Sequence, residues 1–172
     1  NYNDTLVIQN AAWGLGFELQ GGGTAKAEGP TTTSNVGALV ANYQWPGAEA
    51  VIDIVHSVAG DPRTIYAAGI TIENAASLTV NALEGDVIVH DIVGGAVTSL
   101  VLTGAGDVTV EDWLPDQLTS IDASGVVGDV SLSIEDPVDN SHLTIVGAQG
   151  GSTLILSDVQ DGDIASISGA GP

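Results

Sequence analysis

The sequence predicts an all-β protein: a parallel β-solenoid (β-helix) of about five turns over residues 70–172, preceded by an N-terminal β cap or extension over residues 1–69. Three observations predict it. A short phrase returns as Gly85-Asp86-Val87-Ile88-Val89, Gly106-Asp107-Val108-Thr109-Val110 and Gly128-Asp129-Val130-Ser131-Leu132, at intervals of 21 and 22 residues, with a weaker copy, Gly151-Ser152-Thr153-Leu154-Ile155, 23 residues further on. A second phrase interleaves with the first at intervals of 21 to 22 residues: Ser77-Leu78-Thr79-Val80, Ser99-Leu100-Val101-Leu102, Ser120-Ile121-Asp122-Ala123 and His142-Leu143-Thr144-Ile145. Within the strand-like runs, polar and apolar side chains alternate with the period of two that sends neighbours to opposite faces of a strand. One such unit cannot cover its own apolar face and must stack on the next. A β-sandwich with Greek-key strands is the alternative, because short strands at 10- to 12-residue spacing also suit it.

Taken in order, residues 1–20 hold two apolar runs, Leu6-Val7-Ile8 and Trp13 to Leu19, read as two short strands with a bend. Gly14-Leu15-Gly16 does not continue into a dinucleotide-binding fingerprint. Residues 21–37, with three consecutive glycines, Gly29-Pro30 and a threonine run, read as a loop whose length makes it functional, mobile or laid along the surface. Ala38 to Tyr43 and Ala50 to Val55 read as strands joined by the turn signal Pro46-Gly47. Five of the seven aromatic residues fall in the first 45 residues, which suits a packed cap over one end of the stack or an exposed patch for sugar or protein. From Ile70 onward the repeats place Thr71, Thr79, Thr109 and Ser131 on the outer face, with Gly and Asn at the corners. Trp113-Leu114-Pro115-Asp116 and Asp136-Pro137-Val138-Asp139-Asn140 read as bulges one turn apart, which would bring Glu111, Asp112 and Asp116 over Glu135, Asp136 and Asp139.

Charge narrows the function. There are 22 acidic residues against two basic ones, Lys26 and Arg63, a net charge of -20. Such a surface repels phosphates, so nucleic acid and anionic membrane faces are excluded as partners. No run approaches the ~18 apolar residues of a membrane-spanning helix. Hydrophobic residues make up 44% of the chain and fall in regular runs, which sets it apart from disordered acidic chains. With no cysteine, disulfides and thiolate chemistry are absent. The start at Asn1 without Met suggests a processed product or excised fragment, and the composition suits an extracellular location. One sequon, Asn3-Asp4-Thr5, is present.

The sharpest constellation is the column Asp86, Asp107 and Asp129, whose carboxylates the repeat would stack ~4.8 Å apart. Like charges that close need water or a cation between them, and calcium, a hard ion that takes carboxylate and carbonyl oxygens, is the natural bridge. The same argument makes the bulge residues Asp112, Asp116, Asp136 and Asp139 candidate calcium ligands. A solvated acidic face is the competing reading. Trp13, Trp45 and Trp113 are candidate ligand-binding side chains. Paired carboxylates can cleave glycosides, but a polyanionic substrate would meet repulsion with only two cations to offset it. His56, His90 and His142 lack the spacing of a zinc site, and no G-x-S-x-G elbow is present.

Leu118-Thr119-Ser120-Ile121-Asp122-Ala123-Ser124-Gly125 through Leu132 resembles a phrase of large secreted surface-layer proteins and RTX-type adhesins of Gram-negative bacteria, and Leu102-Thr103-Gly104-Ala105-Gly106-Asp107 is similar to their glycine–aspartate repeats. The resemblance covers residues 70–172. It implies a secreted β-solenoid that binds calcium in its repeats and assembles into lattices or mediates attachment. The full nonapeptide G-G-x-G-x-D is nowhere complete, so only Asp107 carries over as a calcium candidate. The expected function is a structural or adhesive module of an extracellular bacterial surface protein, self-assembling with copies of itself and calcium-stabilised, and without enzymatic activity. A glycan- or protein-binding module and a polysaccharide-cleaving enzyme are the alternatives.

Overall fold

The computed structural model describes residues 5–21, 34–56, 64–135, 142–160 and 163–170. Among them there are strands and turns and no helix. The strands follow one another as β1 (Thr5–Ala11), β2 (Gly16–Gly21), β3 (Ser34–Val36), β4 (Ala38–Tyr43), β5 (Ala48–His56), β6 (Ile65–Ala67), β7 (Ile70–Glu73), β8 (Ala75–Ala82) and β9 (Val87–Val89). Then come β10 (Ile92–Val93), β11 (Ser99–Gly104), β12 (Val108–Val110), β13 (Ser120–Val126), β14 (Asp129–Glu135), β15 (Leu143–Val146), β16 (Gly151–Ser157) and β17 (Ile164–Ser168).

They form three sheets: a four-stranded one in the order β1-β4-β7-β10, a seven-stranded one in the order β2-β5-β8-β11-β13-β15-β17 and a six-stranded one in the order β3-β6-β9-β12-β14-β16. Every ladder is parallel. Through β12 the chain visits the three sheets in strict rotation, and from β13 it alternates between the seven- and six-stranded sheets. This is compatible with the stacked coils that the repeat predicts. The antiparallel Greek-key sandwich is not, because no described ladder is antiparallel.

Alternation explains why the sheets face one another. In β4 every second residue is buried (Leu39, Ala41, Tyr43), and β7 and β11 repeat the pattern with Ile70, Ile72, Leu100 and Leu102. Parallel in-register pairing then stacks like on like: Leu78, Leu100, Ile121, Ile145 and Ile167 share one column of the seven-stranded sheet. Val87, Val108 and Val130 share one in the six-stranded sheet. The inward residues of all three sheets form a single apolar cluster running from Ala11 to Ala148. The expected outward residues Thr71, Thr79, Thr109 and Ser131 are half-buried, flanked by their neighbours in the ladder.

Two expectations change. The strands of the expected N-terminal cap or extension join the same sheets as the repeats: β1 pairs with β4, β2 with β5 and β3 with β6, and β4, β5 and β6 continue directly into the ladders of β7, β8 and β9. The loop expected over residues 21–37 contains β3. The reason the sequence hides their continuity with the repeats is spacing. Leu39 pairs with Ile70, 31 residues on, and Val51 with Thr79, 28 on, whereas Ser77 pairs with Ser99 at 22. Corners tolerate added length at little entropic cost, while paired strands do not tolerate a slip.

The second change is register. Ile121 pairs with Ile145, not Leu143, a slip of two that preserves which face is inward. Gly151 pairs with Asp129 rather than Gly128, a slip of one that aligns Leu132 with Leu154 and sends Ile155 outward.

The early aromatics divide by role. Tyr43 is buried, stands edge-on to Phe17 at 6.4 Å between ring centroids, and donates its hydroxyl proton to the Leu15 carbonyl. Burial pushes the Tyr43 phenol above its ordinary range.

Two outcomes follow. In the Leu78–Ile167 column, Leu100→Ala should cost about 2–5 kcal/mol in urea unfolding, whereas Ile167→Ala, on the last strand and 52% exposed, should cost under about 1 kcal/mol. For Tyr43 the folded state holds the phenolic proton more tightly than the unfolded chain. Its contribution is therefore complete below about pH 10 and lost as pH rises through the raised folded value. Tyr43→Phe should lower stability by about 1 kcal/mol at pH 8 and flatten the alkaline decline measured by urea unfolding from pH 8 to 11.

Candidate functional site

The repeated Gly-Asp-Val phrase lies at the corner leading into the six-stranded sheet, and its three aspartates are exposed. Parallel pairing stacks them, and the stack is joined by the backbone. The Asp107 N–H donates to Asp86 Oδ1 at 3.0 Å, and the Asp129 N–H donates to Asp107 Oδ1 at 2.8 Å. The carbonyls of the same residues stay in the ladder: Asp107 accepts from the Val87 N–H at 2.8 Å and Asp86 from the Ile65 N–H at 2.9 Å. Each carboxylate thus takes the place of the main-chain acceptor that the corner removes, and its charge sits against a peptide dipole.

The glycines before these aspartates are required by contact distance. A Cβ on Gly106 would lie 2.4 Å from the carbonyl of Gly85, and one on Gly128 would lie 2.4 Å from Asp107 Oδ1 and 2.7 Å from the Gly106 carbonyl. At Gly106 and Gly128 the corner backbones stack too closely for any side chain, and Gly85 adopts a positive φ of 74° that favours glycine.

A second polar ladder runs along the outer face of the seven-stranded sheet, where Glu18, Asp53, Asn81, Thr103 and Gly125 share a column. The Asn81 amide donates to Asp53 Oδ1 at 2.6 Å, and the Thr103 hydroxyl donates to Asn81 Oδ1 at 2.6 Å. Asn81 can link the two because an amide is donor and acceptor at once. No repeated phrase marks these residues, so sequence reading missed them.

The acidic bulge is brought only partly together. Asp112 is half-buried, with its N–H on the His90 carbonyl at 2.9 Å. Asp116 is exposed and borders a groove of about 190 Å³ with Trp113, Val93 and Gly95. Asp116 and Glu135 line one narrow gap, as the bulge alignment anticipated. Asp136 and Asp139 lie outside the described residues. Among the described residues no three His, Asp or Glu side chains converge as metal ligands would.

Trp13, Trp45 and Trp113 are all more than half exposed, and the chain does not gather them into one patch. Trp13 and Trp45 each lie two residues beyond the paired Ala11 and Tyr43, so they occupy equivalent places on neighbouring circuits. Trp113 lies between β12 and β13, where its carbonyl accepts from the Ile92 N–H at the start of β10 at 2.8 Å.

One further cluster has no motif behind it. His90 Nδ1 stands 3.6 Å from Glu111 Oε2, and Tyr66 hydrogen-bonds Glu111 from the same corner. Burial, followed by the charge and hydrogen bond of Glu111 and the charge of Asp91, raises the Tyr66 phenol. Both His90 and Glu111 are nearly half exposed, so water reaches the cluster. His90 and Glu111, 21 residues apart, each follow the paired Val89 and Val110, while Tyr66, whose ladder partner is Ile88, reaches Glu111 from within β6.

Gly106→Ala should cost ~3 kcal/mol or abolish folding, because the new methyl meets backbone rather than a yielding side chain. Gly95→Ala, where nothing lies within 4 Å, should stay within ~0.5 kcal/mol by thermal melting. Asp107→Ala removes the acceptor of the Asp129 N–H and should cost about 1 kcal/mol, whereas Asp107→Asn keeps an acceptor oxygen, removes one repelling charge and should be neutral or stabilising.

Among the described residues no helix is long and apolar enough to cross a membrane. Comparison with family models, with curated proteins and with solved structures finds no match.

Proposed function

We propose that the chain is a parallel β-solenoid serving as a structural or adhesive module of an extracellular bacterial surface protein. The observation that carries this reading is the run of parallel strands that rotates through three sheets as far as β12 and then alternates between two, all around one apolar cluster. Seven strands ~4.8 Å apart span about 30 Å, and every ladder along that length bears load in parallel. The acidic surface, the lack of cysteine and the resemblance of Leu118–Leu132 to surface-layer and RTX-type phrases support the extracellular placement.

Calcium belongs to this proposal as a counter-ion held along the acidic corners rather than as a coordinated centre. The Asp86 and Asp107 carboxylates each accept one peptide N–H, which leaves their negative charge in place and further lone pairs facing water. Calcium should raise the melting temperature above that in sodium chloride of equal ionic strength, and chelator should reverse the gain. An unchanged melting temperature removes calcium from the proposal.

Placement is tested separately. An antibody to the purified chain should label intact, unpermeabilised cells that make it, and brief surface proteolysis should remove the label. Labelling only after permeabilisation overturns the surface reading. Glycan binding is the second reading, favoured by the equivalent exposed positions of Trp13 and Trp45. Neutral oligosaccharide should then shift tryptophan fluorescence in the native chain and not in Trp13→Ala/Trp45→Ala.

A further inference from the structure

We propose that the two ends of the strand stack dock on each other in a second copy of the same chain, head to tail, with β17 and β16 of one copy against β2 and β3 of the next. This deepens the structural-module reading and rests on it. β2 and β3 are the first strands of the seven- and six-stranded sheets, and β17 and β16 are the last, so among the described residues each has a ladder on one side only. A free edge of this kind presents a row of N–H and C=O groups that template another strand.

The core columns reach both ends without being closed. In the seven-stranded sheet, the column that runs through Ala50, Leu78, Leu100, Ile121 and Ile145 ends on Ile167, 52% exposed. At the other end, Leu15 precedes Gly16 as Ala50 precedes its partner Val51, and it is 43% exposed. In the six-stranded sheet, the column Val36–Ala67–Val89–Val110–Leu132–Leu154 is apolar throughout, and its two end members are only partly buried. The first circuit opens as a mouth of about 460 Å³ edged by Leu6, Leu19 and Val36.

Charge decides the occupant. A chain of net charge -20 repels its own copies along its sides. Yet β1, β2, β3, β16 and β17 hold one ionisable side chain, Glu18, and β16 and β17 hold none. Edges are normally guarded by inward charges, lysines or prolines, and these strands carry none of them. The strand edges at the two ends, though not the connection between β16 and β17 with its three aspartates, are therefore where a second copy meets least repulsion, and strand direction matches because every described ladder is already parallel. The four-stranded sheet ends at β10 among the described residues, so contact runs through two sheets and leaves β1 with its edge. Such a contact is heterologous and does not close, so it propagates as a filament.

The test is sedimentation equilibrium of the full chain over a concentration series at low and high sodium chloride, with far-ultraviolet circular dichroism confirming that each variant stays folded. The native chain, 17.2 kDa, should form a ladder of oligomers that grows at high salt, because screening relieves the sides and the ends need no ion pairs. Leu15→Glu blocks one end and Ile167→Glu the other, both at exposed positions, and each alone should associate at least tenfold more weakly. Mixed, the two variants should form a one-to-one dimer and nothing larger, since one open end of each kind remains. A native chain that stays monomeric throughout, single variants that associate like the native chain, or a mixture that stays monomeric each overturns the proposal. Surface labelling and the calcium melt remain to judge the structural-module reading separately.

Discussion

Within each of the three sheets, neighbouring strands are held ~4.8 Å apart by parallel backbone hydrogen bonds, and that spacing is the constraint on which the rest depends. A side chain in such a stack has its own position, one circuit away, as its nearest neighbour. Apolar positions must therefore repeat as apolar columns, as Val87, Val108 and Val130 do. Corner positions must repeat as positions without side chains, as Gly85, Gly106 and Gly128 do. Polar positions must repeat as groups that can satisfy one another, and here the chain finds two solutions.

The first solution turns a repulsion into a bond. Identical carboxylates one circuit apart are unfavourable, but the Asp86 carboxylate meets the Asp107 N–H and the Asp107 carboxylate meets the Asp129 N–H. The second varies the residue: aspartate, asparagine and threonine succeed one another in the Asp53–Asn81–Thr103 column, so that donors alternate with acceptors. Both keep the outer face polar while tying successive circuits together from the side.

The same constraint explains the shape of the charge. Strands are close-packed in their ladders and take few ionised groups, so the acids collect at corners and in the loop over residues 111–119, around Glu111, Asp112 and Asp116. An acidic flank with apolar, almost uncharged ends is the result. Among the described residues, His90, Glu111 and Tyr66 bring acid, base and phenol together: His90 and Glu111 follow the paired Val89 and Val110, and Tyr66 approaches from β6.

By itself the sequence determined the strand alternation, the glycine corners and the stacking of Asp86, Asp107 and Asp129, because those features recur at 21 and 22 residues and the backbone lattice demands like positions at like intervals. It also marked the Trp113–Asp116 bulge as an interruption, since proline and tryptophan break the alternation there. Only the tertiary structure decided that β1 to β6 belong to the same three sheets. Their circuits of 28 to 35 residues carry extra corner length that the ladder does not register and that a search for a fixed period cannot see. It alone decided the one-residue slip that pairs Gly151 with Asp129, the split of the early aromatics into a buried Tyr43 and exposed tryptophans, and the use of the aspartate column. A column of like charges reads as a cation site from composition. The peptide N–H groups that occupy two of its carboxylates exist only once the circuits are stacked.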